Sequence, residues 1–291
     1  MADSLFVSVE GSKMHYMEEG EGDPILFLHG MPTSSYLWRN IIPGLAEHDR
    51  CIAPDLIGMG ESDKPVIQYT LEDHIRYIEG FIQALGLRNI TLVMHGWGSV
   101  IGFDYAMRHP ENIKALAFYE AHLRPPVNQD ILSLPLQMEA FFLSHPEKNY
   151  KSIVKDNYFF NQFLSRAMLR KLTDAEWAYY QKPFETTESR ELLWQYFLDL
   201  PLGDPEHPTL ALMFRYSERL QRSLLPKLLL YSIPGFVTPI ADVVWCRDHL
   251  PNLTVVEVGY ALHFAQETLP REFSQCLAAW YTELEKDTIA C

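Results

Sequence analysis

ITLVMHGWGSVIGF, residues 90–103, is the stretch whose reading decides the fold. Ile90 to Met94 is a short unbroken apolar run, of the kind found in strands covered on both faces. The small-residue turn His95-Gly96-Trp97-Gly98-Ser99 then leads directly into a segment of helical period, Gly98 to Arg108. A sharp strand-to-helix elbow of this form lifts one side chain off the end of the strand and turns the next residue's N–H toward whatever binds there. The raised position is Gly96, followed by Trp97. Glycine has no side chain, so the elbow cannot supply a nucleophile. Ser99 lies inside the helix, outside any G-x-S-x-G frame, and reads as a helix-start hydroxyl.

Working outward, the same kind of run recurs at 24–30, 51–58, 115–121, 227–232 and 254–259, and an alternating pair at 5–9 and 13–18 around Gly11-Ser12 predicts an opening hairpin. Segments of helical period lie between several of them: Leu71 to Leu85, Ile240 to His249 and Arg271 to Leu284. Strand and helix in alternation imply an α/β fold, with a mostly parallel sheet of eight strands flanked by helices. From about His122 to Arg222 the alternation stops and aromatic, helix-forming residues dominate. We read 1–121 and 223–291 as the core and 122–222 as an inserted helical cap.

In open α/β sheets ligands sit beyond the carboxyl ends of the strands, so the residues just after each strand are the ones to inspect. Glu120 follows the run at 115–119, and His263 follows the last strand in the loop Gly259-Tyr260-Ala261-Leu262-His263. Elbow, acid and histidine come in the chain order of α/β-hydrolase triads. A carboxylate on one imidazole nitrogen fixes the tautomer and leaves the other nitrogen to act as a general base. His29-Gly30-Met31-Pro32 follows the strand at 24–28, where such a fold supplies a second N–H, so the backbone N–H groups of Met31 and Trp97 are candidates for an anion hole. Asp55 reads as a turn former, and His95 as a structural neighbour of the elbow.

Composition excludes several function classes. The 291 residues are 47% hydrophobic and 21% charged, ample for a packed core. With 24 basic against 38 acidic residues the formal net charge is −14, which repels nucleic acid and anionic membrane. The expected partner is a hydrophobic small molecule. Cys51, Cys246, Cys276 and Cys291 show no metal or disulfide spacing, and no phosphate loop or dinucleotide fingerprint occurs, so no cofactor and no metal are expected. The N-terminus lacks a signal-peptide pattern, and a cytoplasmic location is the default expectation.

Nearly the whole chain resembles the haloalkane dehalogenases, in the branch that also holds the Renilla-type coelenterazine luciferase. The resemblance is carried by LFLHGMPTSSYLWRNIIPGL, CIAPDLIGMGESDKP, LVMHGWGSVIGF, LAFYEAHLRP and ALHFAQE, and by the cap segments NYFF and RKLTDAEWAYYQKPF. It implies an α/β-hydrolase core with a helical cap, and a mechanism in which an elbow Asp displaces halide and a His-activated water cleaves the ester. Carried across by position, His263 matches the base, Glu120 the acid and Trp97 the Trp halide ligand. Gly96 stands where the family has its nucleophile, and Met31 where it has the halide-binding Asn.

Ordinary dehalogenation is therefore not expected. The leading expectation is an enzyme using the His263–Glu120 dyad without a covalent intermediate, for cyclisation, elimination, C–C bond change or direct activation of water. The burial and lost charge around His263 should keep the imidazole neutral. Aromatic cap residues, Phe159, Phe160, Phe163 and Trp194, are candidates for the pocket wall. Competing readings are a dehalogenase inactivated at position 96, a luciferase-like cofactor-free oxygenase, and a non-catalytic small-molecule binder.

Overall fold

The chain opens on the expected hairpin, β1 (Asp3–Val9) against β2 (Ser12–Glu19), and the apolar runs that follow become strands, the central ones covered on both faces. β3 (Pro24–Leu28) is buried throughout, β4 (Arg50–Pro54) nearly so, and β5 (Ile90–His95) again throughout. β6 (Ile113–Tyr119), β7 (Lys227–Pro234) and β8 (Leu253–Ala261) complete the sheet. The structure is a computed structural model that describes residues 2–142, 145–202 and 204–289.

The eight strands lie in the order β1-β2-β4-β3-β5-β6-β7-β8. The β1/β2 and β2/β4 pairings are antiparallel and the remaining five parallel. Parallel neighbours need crossovers, and these are helical. Before the cap come α1 (Leu71–Ala84) and α2 (Trp97–Arg108). α1 starts at a capping box, Thr70 with Asp73, and buries Leu71, Ile78, Phe81 and Ile82 along one face.

Among the described residues the chain between β6 and β7 carries helices and no strand: α3 (Leu134–Phe142), α4 (Pro146–Tyr150), α5 (Leu164–Arg166), α6 (Asp174–Gln181), α7 (Glu191–Asp199) and α8 (Pro208–Leu220). Two π-helical turns, Lys151–Lys155 and Phe159–Phe163, interrupt this series. α8 returns to the sheet layer and packs on α2, with the Tyr216 ring 5.5 Å from Phe103 and Arg219 donating to the Met107 carbonyl. α9 (Ile240–His249), α10 (Ala265–Thr268) and α11 (Pro270–Ile289) close the fold.

One strand is shorter than its apolar run. The run at 51–58 ends as strand at Pro54, because the buried Asp55 carboxylate accepts from the N–H groups of Ser35 and Glu61 and from His15 Nδ1, turning the chain there. The carboxyl ends of β3, β5, β6 and β8 deliver Met31, Gly96, Glu120 and His263 to the same end of the sheet. Cys51 and Cys246 are buried free thiols and Cys276 is a half-buried one, while Cys291 lies outside the described residues. Among the described residues no helix is long and apolar enough to cross a membrane.

Candidate active site

Gly96 sits at the elbow with φ 52° and ψ −125°, a left-handed backbone that side chains adopt only under strain. The turn is tight enough that a Cβ on Gly98 would stand 2.5 Å from the carbonyl oxygens of Leu28 and His29, so the start of α2 lies directly against the end of β3. That contact brings the Trp97 nitrogen beside the Gly30–Met31 turn, where a Cβ on Gly30 would stand 2.9 Å from it.

His263 and Glu120 meet as the sequence predicts. The Nδ1–H of His263 donates to Glu120 Oε2 at 2.9 Å. Glu120, itself at φ 50°, also accepts from the backbone N–H groups of Phe236 at 3.0 Å, Val237 at 2.5 Å and Thr238 at 3.3 Å. The carboxylate is thereby fixed in orientation, and its tautomer demand leaves Nε2 of His263 free to face the site. Two further donors pin the loop that carries the imidazole. His95 Nε2 donates to the His263 carbonyl at 2.9 Å, and the Tyr119 hydroxyl donates to the Leu262 carbonyl at 2.5 Å. His95 and Ser99 are structural, as expected: the Ser99 hydroxyl donates to the Gly96 carbonyl and accepts from the His122 N–H.

Burial pushes His263 down to about 3, so the ring is neutral and its Nε2 is an acceptor. Burial moves Glu120 the other way, up to about 7, against the pull of the three backbone N–H groups. A Cβ at position 96 would stand 3.3 Å from His263 Nε2. A side chain there would touch the base; with glycine the base faces the cavity.

The cavity at His263 is narrow, with about 50 Å³ open to the centres of water-sized spheres, and is walled mainly by aromatic and aliphatic side chains, with Met31 and Phe236 from the core. Of the predicted cap residues, Phe159 and Phe163 are on the wall, and Phe163 lies 5.7 Å from Phe236 and 6.4 Å from His263. Two expectations need correction. Phe160 is buried away from the cavity, against Phe184 at 5.3 Å and Trp177 at 6.3 Å. Trp194 stacks on Phe197 and meets the edge of Tyr150, facing an outer groove; the turn of α7 puts Tyr196 and Phe197 on the cavity instead. Trp97 is buried behind the wall, its ring edge-on to His122 and Tyr196.

His122 and Tyr196 are wall residues that the sequence reading did not single out. His122 stands two residues beyond Glu120 at a strand end, a signal that was available; Tyr196 required the phase of α7. Among the described residues no three His, Cys, Asp or Glu side chains are grouped to hold a metal ion.

Residues 23–270 match the family model described as alpha/beta hydrolase fold. The haloalkane dehalogenase of Agrobacterium fabrum is 37% identical, the match covering 97% of this chain and 93% of that one. A haloalkane dehalogenase of Sphingobium indicum is 38% identical over 97% of this chain and 96% of its own. Among solved structures, the haloalkane dehalogenase DatA from Agrobacterium tumefaciens superposes with a TM-score of 0.89 at 36% identity, covering 97% of each chain. A loop variant of the enzyme DbeA from Bradyrhizobium elkanii gives a TM-score of 0.94 at 32% identity, covering 100% of this chain and 99% of its own.

Proposed function

The chain belongs to the haloalkane dehalogenase family of the α/β-hydrolase fold, and from that premise we propose that it is an enzyme whose His263, oriented by Glu120, acts as a general base directly on an apolar small molecule, with no covalent intermediate. One observation carries this reading: the elbow has the sharp positive-φ turn that sets position 96 beside the base, yet holds a glycine, while the dyad behind it is fully assembled. Alkylation of position 96 is impossible without a side-chain oxygen. Removal of a proton by a neutral, water-shielded imidazole needs no nucleophile, and Glu120 stabilises the imidazolium as it forms. Elimination, cyclisation through a carbanion or enolate, and activation of a bound water all fall within that chemistry.

The cap that shields this base comprises α3 to α7; we place its end before Pro208, since α8 belongs to the layer covering α2.

The test uses 5-nitrobenzisoxazole, an apolar probe whose ring opens when a base removes its C–H proton: the C–H electrons form the nitrile, the N–O bond breaks, and a phenolate leaves. Turnover that falls at least a hundredfold in His263→Ala is expected, the order a positioned base supplies. No turnover, or turnover unchanged by His263→Ala, contradicts the reading.

The second reading, a dehalogenase silenced at position 96, is favoured by the identity to enzymes named haloalkane dehalogenases. It predicts that Gly96→Asp with Met31→Asn restores halide release.

A further inference from the structure

We propose that the cavity carries a two-donor clamp, the Tyr196 hydroxyl and a ring N–H of His122, that holds a carbonyl, enol or phenol oxygen of an apolar substrate beside His263. The inference rests on the reading of His263 as the base and names the substrate class that this base would meet.

Buried and half-buried polar groups normally find partners, and in this protein nearly all the tyrosines around the site do. Tyr158, also on the cavity wall, accepts on its hydroxyl oxygen from the Arg166 guanidinium at 2.6 Å. Tyr119 donates to the Leu262 carbonyl, Tyr180 to Glu267 and Tyr216 to the His122 carbonyl. Among the described residues the Tyr196 hydroxyl has no hydrogen-bond partner, and neither has either ring nitrogen of His122. Both side chains face a wall that is otherwise aromatic and aliphatic apart from His263.

Their positions are held, not accidental. The His122 backbone is tied at both ends, its N–H to Ser99 Oγ at 3.0 Å and its carbonyl to the Tyr216 hydroxyl at 2.6 Å. The Trp97 ring, immediately after the elbow, meets His122 edge-on at 5.4 Å and Tyr196 edge-on at 5.0 Å, bracing both from behind. Burial and the nearby His263 push His122 down to about 3, and burial pushes Tyr196 up. Both groups are therefore neutral, and each has a proton to donate.

A pair of fixed neutral donors in a dry cavity is suited to an oxygen whose charge grows during reaction. His263 Nε2 takes a proton from the carbon beside a carbonyl, the C–H electron pair moves into the C–C bond, and the carbonyl pair moves onto the clamped oxygen. The same proton returns to carbon when the enolate collapses, so no oxidant or co-reactant is consumed. The Met31 side chain, which has no donor, cannot serve this purpose.

The test is a fluorescence titration with 2-naphthol, a flat mimic of an enol, beside 2-methylnaphthalene, which has the same shape and no oxygen. The unmodified protein is expected to prefer 2-naphthol by about tenfold or more, the order of one well-made neutral hydrogen bond. Tyr196→Phe and His122→Leu should each erase most of that preference while leaving 2-methylnaphthalene binding in place; His263→Ala should keep it. Equal binding of the two probes by the unmodified protein overturns the clamp. So does a preference lost in His263→Ala and kept in Tyr196→Phe, which would assign the oxygen to the base. Failure of the base itself is read separately, by 5-nitrobenzisoxazole.

Discussion

An imidazole whose Nδ1 is bound to a carboxylate and whose Nε2 faces an apolar cavity has its acid limb set by the carboxylate, because the ring is already held neutral. Here burial takes His263 to about 3 and Glu120 to about 7. Above pH 7 Glu120 is ionised and stabilises the imidazolium that forms; below it that support is lost. We expect turnover of 5-nitrobenzisoxazole to rise with pH through a single apparent pKa near 7, a property of the pair. Glu120→Gln should lower the rate roughly a hundredfold or more and flatten that limb. A limb that keeps its midpoint in Glu120→Gln would assign it to another group. Both members of the dyad were legible in the sequence because each stands within two residues of a strand's carboxyl end. His122, two residues past Glu120, gave the same kind of signal, whereas Tyr196, one tyrosine among many, carries no spacing signal.

At the scale of elements, the helical segment between β6 and β7 is tied to the chain just after His263 by an ionic cluster around the buried Glu267. Glu267, on α10 four residues past His263, accepts from Arg39 at 2.5 and 2.9 Å, from Tyr180 of α6 at 2.6 Å, and from Arg170 of the cap. Glu176 of α6 joins both arginines at 2.8 Å. Removing Glu267 leaves the partly exposed Arg39 and Arg170 with Glu176 as their remaining carboxylate and the Tyr180 hydroxyl without its acceptor, which costs about 1–3 kcal/mol. We expect Glu267→Ala to lower stability by that order in urea unfolding, and a change under about 1 kcal/mol would show that the cluster is not a structural tie. The cap's helical character was readable from composition, but its facing was not. Phe159 and Phe163, four residues apart, share the cavity face, while Phe160, next in the chain to Phe159, turns away into the packing against Phe184. Trp194 and Tyr196 sit two apart on α7 and therefore look in different directions.

For the whole molecule, buried histidines set the response to acid. Burial lowers His74 to about 4 and His263 to about 3, against about 6.5 in the unfolded chain. The unfolded state then binds more protons between pH 6.5 and 3, so stability is full above 6.5 and is lost as pH falls. Glu120 runs in the opposite sense between about 7 and its ordinary value, offsetting part of the loss. The net expectation is a clear fall in urea midpoint between pH 7.5 and 4.5, and an unchanged midpoint would show that these rings are not held neutral. The eight strands were legible, though not their order, because strands buried on both faces leave unbroken apolar runs, whereas the end of β4 depended on what Asp55 binds in three dimensions.

The central claim, that this member of the family has exchanged covalent displacement for direct base chemistry, is tested most directly by halide release from a panel of chloro-, bromo- and iodoalkanes by the unmodified protein. With Gly96 at the elbow and Met31 at the halide position, the account predicts no steady release from any member of the panel. Sustained turnover with halide release, lost in His263→Ala, would contradict it and show that water delivered by the dyad keeps this chain a dehalogenase.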